Sequence, residues 1–113
     1  MKRLIGFIGS VALGTFCVAA TPAFAADVSI NQTGGQFSQT AQTLSKGDSL
    51  ILVNKDTGPH DINVTDTTDD DVDPQDLGVQ APGISVKVHF AQSGIYKLRC
   101  AITPSMHMSV TVN

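Results

Sequence analysis

The sequence predicts an all-β protein, a small Greek-key sandwich or barrel of about seven or eight strands. Short runs of alternating apolar and polar residues recur along the chain, and glycine, proline, asparagine or aspartate separates them. No segment of residues 26–113 has the apolar spacing of a convincing helix. We find neither an internal repeat nor a linker, so these residues are expected to form one domain.

The N-terminal 25 residues have the pattern of a cleaved signal peptide. The chain begins with Lys2 and Arg3, continues with a largely apolar run over residues 4–20, and reaches the small-x-small sequence Ala-Phe-Ala at residues 23–25. We expect cleavage after residue 25, which predicts export and a periplasmic location. Removal of 25 residues from the 113 leaves 88, the domain at 26–113. A domain of that size is too small to form two hydrophobic cores and too small for most enzymes.

The charge of the exported part excludes several classes of partner. All ten acidic residues of the chain are aspartate, and five basic residues remain after cleavage, which gives a net charge of −5. An acidic domain without a basic stripe is not expected to bind nucleic acid or an anionic membrane. No second apolar run approaches the roughly 20 residues that a membrane span requires. We expect a monomer.

The first two predicted strands flank a pair of glycines. Residues 27–31 place Val28 and Ile30 on one face, as a half-buried strand does. Gly34-Gly35 ends that strand, because consecutive glycines favour a turn. Residues 37–44 are rich in threonine, glutamine and serine, and we predict one edge strand there.

The middle of the chain combines a buried strand with polar loops. A Lys-Gly-Asp turn precedes the strand at 49–54, whose continuous apolar run at 50–53 indicates burial. Residues 56–59 are predicted to form a loop, and residues 60–64 the next strand. Residues 65–76 carry most of the aspartates and are predicted to form an acidic loop.

Three strands with regular alternation end the chain, at residues 84–90, 95–100 and 106–112. Because successive side chains of a strand point to opposite faces, each strand has a defined apolar face. We predict that His89 and His107 lie on the opposite, polar face. The predicted apolar set is Ile84, Val86, Val88, Phe90, Tyr96, Leu98, Cys100, Met106, Met108, Val110 and Val112.

Cys100 is the one cysteine of the predicted exported domain. Cys17 leaves with the signal peptide, and Phe16 before it disfavours lipid attachment at that cysteine. Cys100 therefore has no partner for an intramolecular disulfide. Its thiol could form an intermolecular disulfide, act as a reactive group, bind a metal, or simply be buried in the core. Small secreted domains usually need a disulfide or a metal for stability, so a bound metal is an attractive interpretation.

Residues with affinity for soft metals cluster around that cysteine. The connection at residues 101–105 is short and contains Pro104, so Cys100 and Met106 must lie close together. His60 follows a loop after the buried strand. A thiolate, an imidazole and a thioether suit copper, and the sulfur donors favour Cu(I). Zinc would prefer more thiolates or histidines.

These segments resemble the cupredoxins, the small blue copper proteins, and most nearly the amicyanin and plastocyanin-like group. Asn54 followed by Pro59-His60 is similar to the family's first-histidine segment. The sequence Gly-Ile-Tyr-Lys-Leu-Arg-Cys at 94–100 is similar to the strand that leads to the family's cysteine ligand. The sequence Cys-Ala-Ile-Thr-Pro-Ser-Met at 100–106 resembles the family's loop C-x-x-H-P-x-M.

The resemblance implies a Greek-key sandwich that holds one copper ion in a type 1-like site. Its ligands would be His60, Cys100 and Met106, with Met106 as the weak axial ligand. Asn54 would join the two ligand loops by hydrogen bonds. The implied function is electron transfer, without enzymatic activity, between periplasmic redox proteins.

The sequence departs from the family at Thr103, which occupies the position of the second histidine. A hydroxyl is a poor copper ligand, so the site lacks one nitrogen donor. This loss is expected to weaken the binding of Cu(II) and raise the reduction potential of the site, or to leave a coordination position open to water or another ligand. His107 could replace it only if the loop reorganised, whereas Met108 lies on the same face as Met106. Two further hypotheses are therefore a Cu(I) carrier or storage protein using Cys100, Met106 and His60, and a copper-free interaction domain.

The acidic loop and the thiol each allow a rival hypothesis. Asp69-x-Asp71-x-Asp73 imitates the start of an EF-hand, but Pro74 replaces the required glycine. The loop at 66–76 is thus expected to be solvated, and its charge would attract a basic surface on a redox or copper-trafficking partner. A nucleophilic enzyme built on the thiol is disfavoured, since 88 residues leave little room for a pocket.

Overall fold

The computed structural model describes residues 24–113, so most of the predicted signal peptide lies outside the described residues. Within that range the chain forms strands and turns, and no helix is long and apolar enough to cross a membrane. Nine strands are described. They are β1 (Asp27–Thr33), β2 (Gln36–Phe37), β3 (Ala41–Leu44), β4 (Ser49–Asn54), β5 (His60–Asp66), β6 (Gln75–Gln80), β7 (Ser85–His89), β8 (Gly94–Cys100) and β9 (His107–Val112).

The nine strands form two sheets, which confirms the predicted all-β sandwich. One sheet has the order β3-β9-β8-β5-β6, and the other has the order β2-β1-β4-β7. Two pairs are parallel, β3 with β9 and β1 with β4, and the remaining pairs are antiparallel. The strands β5, β8 and β9 are adjacent in the five-stranded sheet. The segments that contain His60, Cys100 and Met106 are therefore neighbours.

The prediction of a single edge strand over residues 37–44 is wrong. Phe37 belongs to β2 in the four-stranded sheet, whereas residues 41–44 form β3 in the other sheet. The chain crosses between the sheets at residues 38–40, where the Ser38 amide donates to Asn31 O and Thr40 O accepts from the Ser109 amide. Threonine, glutamine and serine fit either environment, so their pattern could not reveal the crossing.

The predicted acidic loop at 65–76 is shorter than expected, because strands occupy both of its ends. β5 continues to Asp66, and β6 begins at Gln75. β6 pairs antiparallel with β5, so that His60 lies opposite Gln80. Its sequence, Gln-Asp-Leu-Gly-Val-Gln, contains several residues that are uncommon in strands. Hydrogen bonding to β5, and not intrinsic strand preference, therefore makes this segment a strand.

Alternation in the last three strands correctly predicts most of the core between the sheets. Ile84 is an exception: it is 49% exposed because it lies in the turn before β7, where its amide donates to Ala81 O. Tyr96 is half-buried and packs edge-on against Phe90 with ring centroids 4.9 Å apart. From the predicted apolar set, the fully buried members are Val88, Phe90, Leu98, Cys100, Met106, Met108, Val110 and Val112.

A buried pair of glutamines joins the two sheets. Gln32 Nε2 in β1 donates to Gln80 Oε1 in β6 over 3.0 Å. The Gln80 amide nitrogen also donates to Leu52 O, at 2.7 Å, and to Ile84 O. One side chain thereby makes hydrogen bonds to three polar groups, and its backbone lies beside His60 in the β5–β6 register.

We expect Gln80→Leu to lower the free energy of unfolding by about 1–3 kcal/mol, because it leaves the buried Gln32 amide without its partner and removes the side-chain donor to Leu52 O and Ile84 O. Urea unfolding of the copper-free protein measures the change. Gln75→Leu is the matched control, since Gln75 is an exposed glutamine in the same strand. Equal effects of the two substitutions would show that the buried pair contributes no special stability.

Candidate metal centre

Cys100 ends β8 at the base of a short closed loop. Its side chain is completely buried, and its amide donates to Met106 O over 3.0 Å. Inside the loop, the Met106 amide donates to Thr103 O over 2.9 Å. These two hydrogen bonds place Met106, which is also buried, immediately beside the cysteine. The proximity predicted from the short connection at 101–105 is thus present.

His60 approaches the sulfur atom from the adjacent strand. It begins β5 and is buried, and its Nδ1 lies 3.4 Å from Cys100 Sγ. β5 and β8 pair antiparallel with Ile62 opposite Cys100, so the sheet register determines this contact. Two side chains that are 40 positions apart in sequence therefore meet in one buried place.

Backbone amides surround the sulfur atom of Cys100. The Thr103 amide donates to Sγ over 3.4 Å. Burial opposes ionisation of the thiol, but hydrogen bonds from the backbone of Asp61 and Thr103, together with the hydrogen-bonded contact with the His60 ring, outweigh it and lower the pKa of Cys100. The thiolate, which is the form that binds metals, is therefore easier to form here than in a free cysteine.

A carboxylate orients the histidine ring. His60 Nε2 lies 2.7 Å from Asp56 Oδ2, and the Asp56 carboxylate also accepts hydrogen bonds from the amides of Gly34 and Gly35. The Gly35 amide and the His60 ring lower the pKa of Asp56. Burial alone would lower the pKa of His60, but hydrogen bonds to Asp56 and Cys100 outweigh it and raise that pKa.

This arrangement directs the free nitrogen of the ring toward the sulfur. When Nε2–H donates to the carboxylate, Nδ1 of the neutral ring carries the lone pair and faces Cys100. A carboxylate behind the histidine is the usual partner of a metal-binding imidazole in proteins. Asp56 was not among the site residues predicted from the sequence. Its spacing of four residues before His60 was the available signal, but only folding brings the Gly34-Gly35 turn to the same carboxylate.

Asn54 has a narrower role than the resemblance implies. Its Nδ2 donates to Gly58 O over 3.0 Å and to Gln80 O over 2.8 Å, and its Oδ1 accepts from the Asp56 amide over 2.9 Å. Within residues 24–113, these contacts order the His60 loop and attach it to β6, and none of them reaches the cysteine loop. That loop is attached instead through the Ala101 amide, which donates to Asp61 O over 2.7 Å.

The other candidate ligands named from the sequence have the burial that strand alternation predicts. Met108 is buried in the core, whereas His107 and His89 are exposed. Thr103 is half-buried near the glycine turn, and a Cβ atom added at Gly35 would lie 3.8 Å from its Cγ2.

The acidic residues form no second metal site in the part of the chain that the structure describes. Asp69, Asp71 and Asp73 are exposed in the loop between β5 and β6. Over residues 24–113, no group of three or more histidine, cysteine, aspartate or glutamate side chains could hold a metal ion. A metal centre around Cys100 would therefore have to use a methionine or an outside ligand beside its thiolate and imidazole.

The donors around Cys100 fit a soft metal ion. Nitrogen and sulfur donors bind ions such as zinc at about 2.0–2.3 Å, so two donors 3.4 Å apart can bind the same ion. The adjacent thioether of Met106 adds a soft, uncharged donor type. One thiolate, one imidazole and one thioether favour copper, and Cu(I) in particular.

Comparison with known proteins agrees with this chemistry. The family profile described as "Copper binding proteins, plastocyanin/azurin family" matches residues 24–113. A search of curated protein sequences finds no match.

Solved structures share the fold at low sequence identity. The purple cupredoxin from Nitrosopumilus maritimus is 21% identical, with a TM-score of 0.66 over 76% of this chain and 99% of that protein. A variant of amicyanin in its reduced Cu(I) form at pH 4 is 15% identical, with a TM-score of 0.69 over 87% of this chain and 90% of that one. The copper-containing nitrite reductase from Thermus scotoductus is 21% identical, with a TM-score of 0.67 over 91% of this chain and 25% of the reductase.

These likenesses establish a cupredoxin-like fold, and the profile match spans all of the described residues. The chain belongs to the plastocyanin/azurin family of copper-binding proteins.

Proposed function

We propose that the protein binds one copper ion through His60, Cys100 and Met106 and transfers single electrons, as a carrier and not as an enzyme. The observation that carries this proposal is the buried approach of Cys100 Sγ to His60 Nδ1 at 3.4 Å, next to a buried Met106. Family membership supports copper as the metal. The lowered pKa of Cys100 supports a thiolate ligand.

The way the donors are held supports electron transfer. His60 is fixed by Asp56, and the cysteine loop is closed by the hydrogen bonds of Cys100 and Met106. A site whose ligands are already in place changes little when the ion gains or loses an electron. Bound copper would supply the redox chemistry, and the residues of this chain would hold it in a dry, stable environment.

Thr103 sets this site apart from the family pattern. It stands at the position that corresponds, in the resemblance, to the second histidine ligand, and its backbone amide points to the cysteine sulfur. Loss of one imidazole nitrogen weakens the binding of Cu(II) more than the binding of Cu(I). Imidazole binds both oxidation states, whereas the remaining sulfur donors favour Cu(I). This observation favours a second candidate function, a Cu(I) carrier or storage protein that uses the same three donors.

Two features outside the site support the proposed location and partner. A signal peptide over residues 1–25 would deliver the domain to the periplasm. The exposed aspartates between β5 and β6 would attract a redox or copper-trafficking protein with a basic surface. We propose that the protein is a monomer and that it does not bind nucleic acid.

Titration of the purified copper-free protein with Cu(II) and with Cu(I) tests the two functions. Electron transfer predicts an intense visible band from thiolate to Cu(II), together with reversible oxidation and reduction. A carrier predicts tight Cu(I) binding without a stable coloured Cu(II) form. Failure to bind either ion would contradict both and leave the copper-free interaction domain.

We expect Thr103→His to strengthen Cu(II) binding by about tenfold or more, about 1.4 kcal/mol, and to intensify the visible band, because it restores the missing nitrogen donor. Competition with a Cu(II) chelator and the absorption spectrum measure both effects. Thr103→Val is the matched control: it keeps the shape without the hydroxyl and should leave copper affinity unchanged. If Thr103→His has no effect, the assignment of this loop position is wrong.

A further inference from the structure

The three proposed ligands are too well buried for a copper ion to reach them without an access route. Cys100, Met106 and His60 are exposed by only 0%, 1% and 4%. A metal site needs a path by which the ion enters, since hydrated copper must exchange its water or its carrier ligands for the ligands of the site. The route should therefore contain a side chain that binds copper from outside.

One surface cleft combines a proposed ligand with an exposed metal-binding side chain. The cleft has a volume of about 180 Å³ and lies between β2 and the start of β9. Its lining residues are Gln36, Phe37, Thr40, Ser105, Met106 and His107. Met106 is buried and His107 is exposed, so this cleft is bounded by one proposed copper ligand and by one imidazole in solvent.

We propose that His107 is the docking ligand through which copper enters and leaves the site. This inference rests on the proposed copper site. Cu(I) first bonds to the His107 imidazole as a ligand of the external carrier leaves. It then moves to Met106, Cys100 and His60 as the bond to His107 breaks. Copper remains Cu(I) throughout, and the proton of the Cys100 thiol passes to water when the thiolate binds.

The position of His107 suits transient binding and not permanent ligation. It begins β9, where its side chain points away from the face that Met108 buries. It follows Met106 directly in sequence, and both residues line the same cleft.

The test compares the rate of copper exchange with copper affinity. Apo-protein produced as the full chain and purified after export is mixed, without oxygen, with the coloured Cu(I) complex of bicinchoninate, and the loss of colour gives the rate of transfer. We expect His107→Ala to slow transfer about tenfold or more, in uptake and release alike, with the equilibrium affinity unchanged. Redox-inactive Ag(I), which is also soft, serves as a second probe; we expect it to shift the NMR signals of the His107 ring before those of His60.

Two further variants separate this role from general effects on the fold. His89→Ala removes the other exposed histidine, which lies on β7 and contacts Ser49 Oγ over 3.2 Å, and should leave the rate unchanged. His107→Met keeps a soft donor and should largely restore fast transfer. An unchanged rate in His107→Ala, or equal slowing in His89→Ala, would overturn the proposal. A large loss of equilibrium affinity in His107→Ala would make His107 a permanent ligand and also overturn it. If the wild-type protein binds no Cu(I), the proposed function itself fails.

Discussion

A thiol and an imidazole that are buried side by side in the interior of a protein demand a compensating environment. In this chain Cys100 Sγ and His60 Nδ1 are 3.4 Å apart, and the polar groups around them are arranged to make that contact favourable. Amides of the Cys100 loop face the sulfur, and Asp56 accepts a hydrogen bond from the far side of the ring. The pairing of β5 with β8 and the closure of the loop at 101–105 both serve to maintain this contact.

The buried polar side chains near His60 help to hold this contact in place. Asn54 orders the His60 loop, and Gln80 connects that loop to both sheets. Buried polar groups are tolerated only where nearly all of them find partners, so such a network favours one arrangement of the loop over others. Among residues 24–113 Cys100 is a free thiol, and the described domain has no disulfide. A bound metal would add stability by binding only the folded form.

How much could be predicted from the sequence depended on the kind of interaction involved. Alternation of apolar residues correctly placed Leu98, Cys100 and Met108 inside and His107 outside, because the period of two is a local property of the strand. The proximity of Met106 to Cys100 followed from a short connection. β6 was missed because pairing with β5, and not its own composition, makes it a strand. The contacts of Asp56 were missed because they depend on a glycine turn more than 20 residues away.

We propose that one imidazole, one thiolate and one thioether form the copper site, with Thr103 contributing no ligand. X-ray absorption at the copper K-edge of the Cu(I)-loaded wild-type protein tests it most directly. We expect one short copper–sulfur distance, a longer sulfur contribution and the scattering of a single imidazole. Scattering from two imidazoles, or a first shell without sulfur, would contradict it.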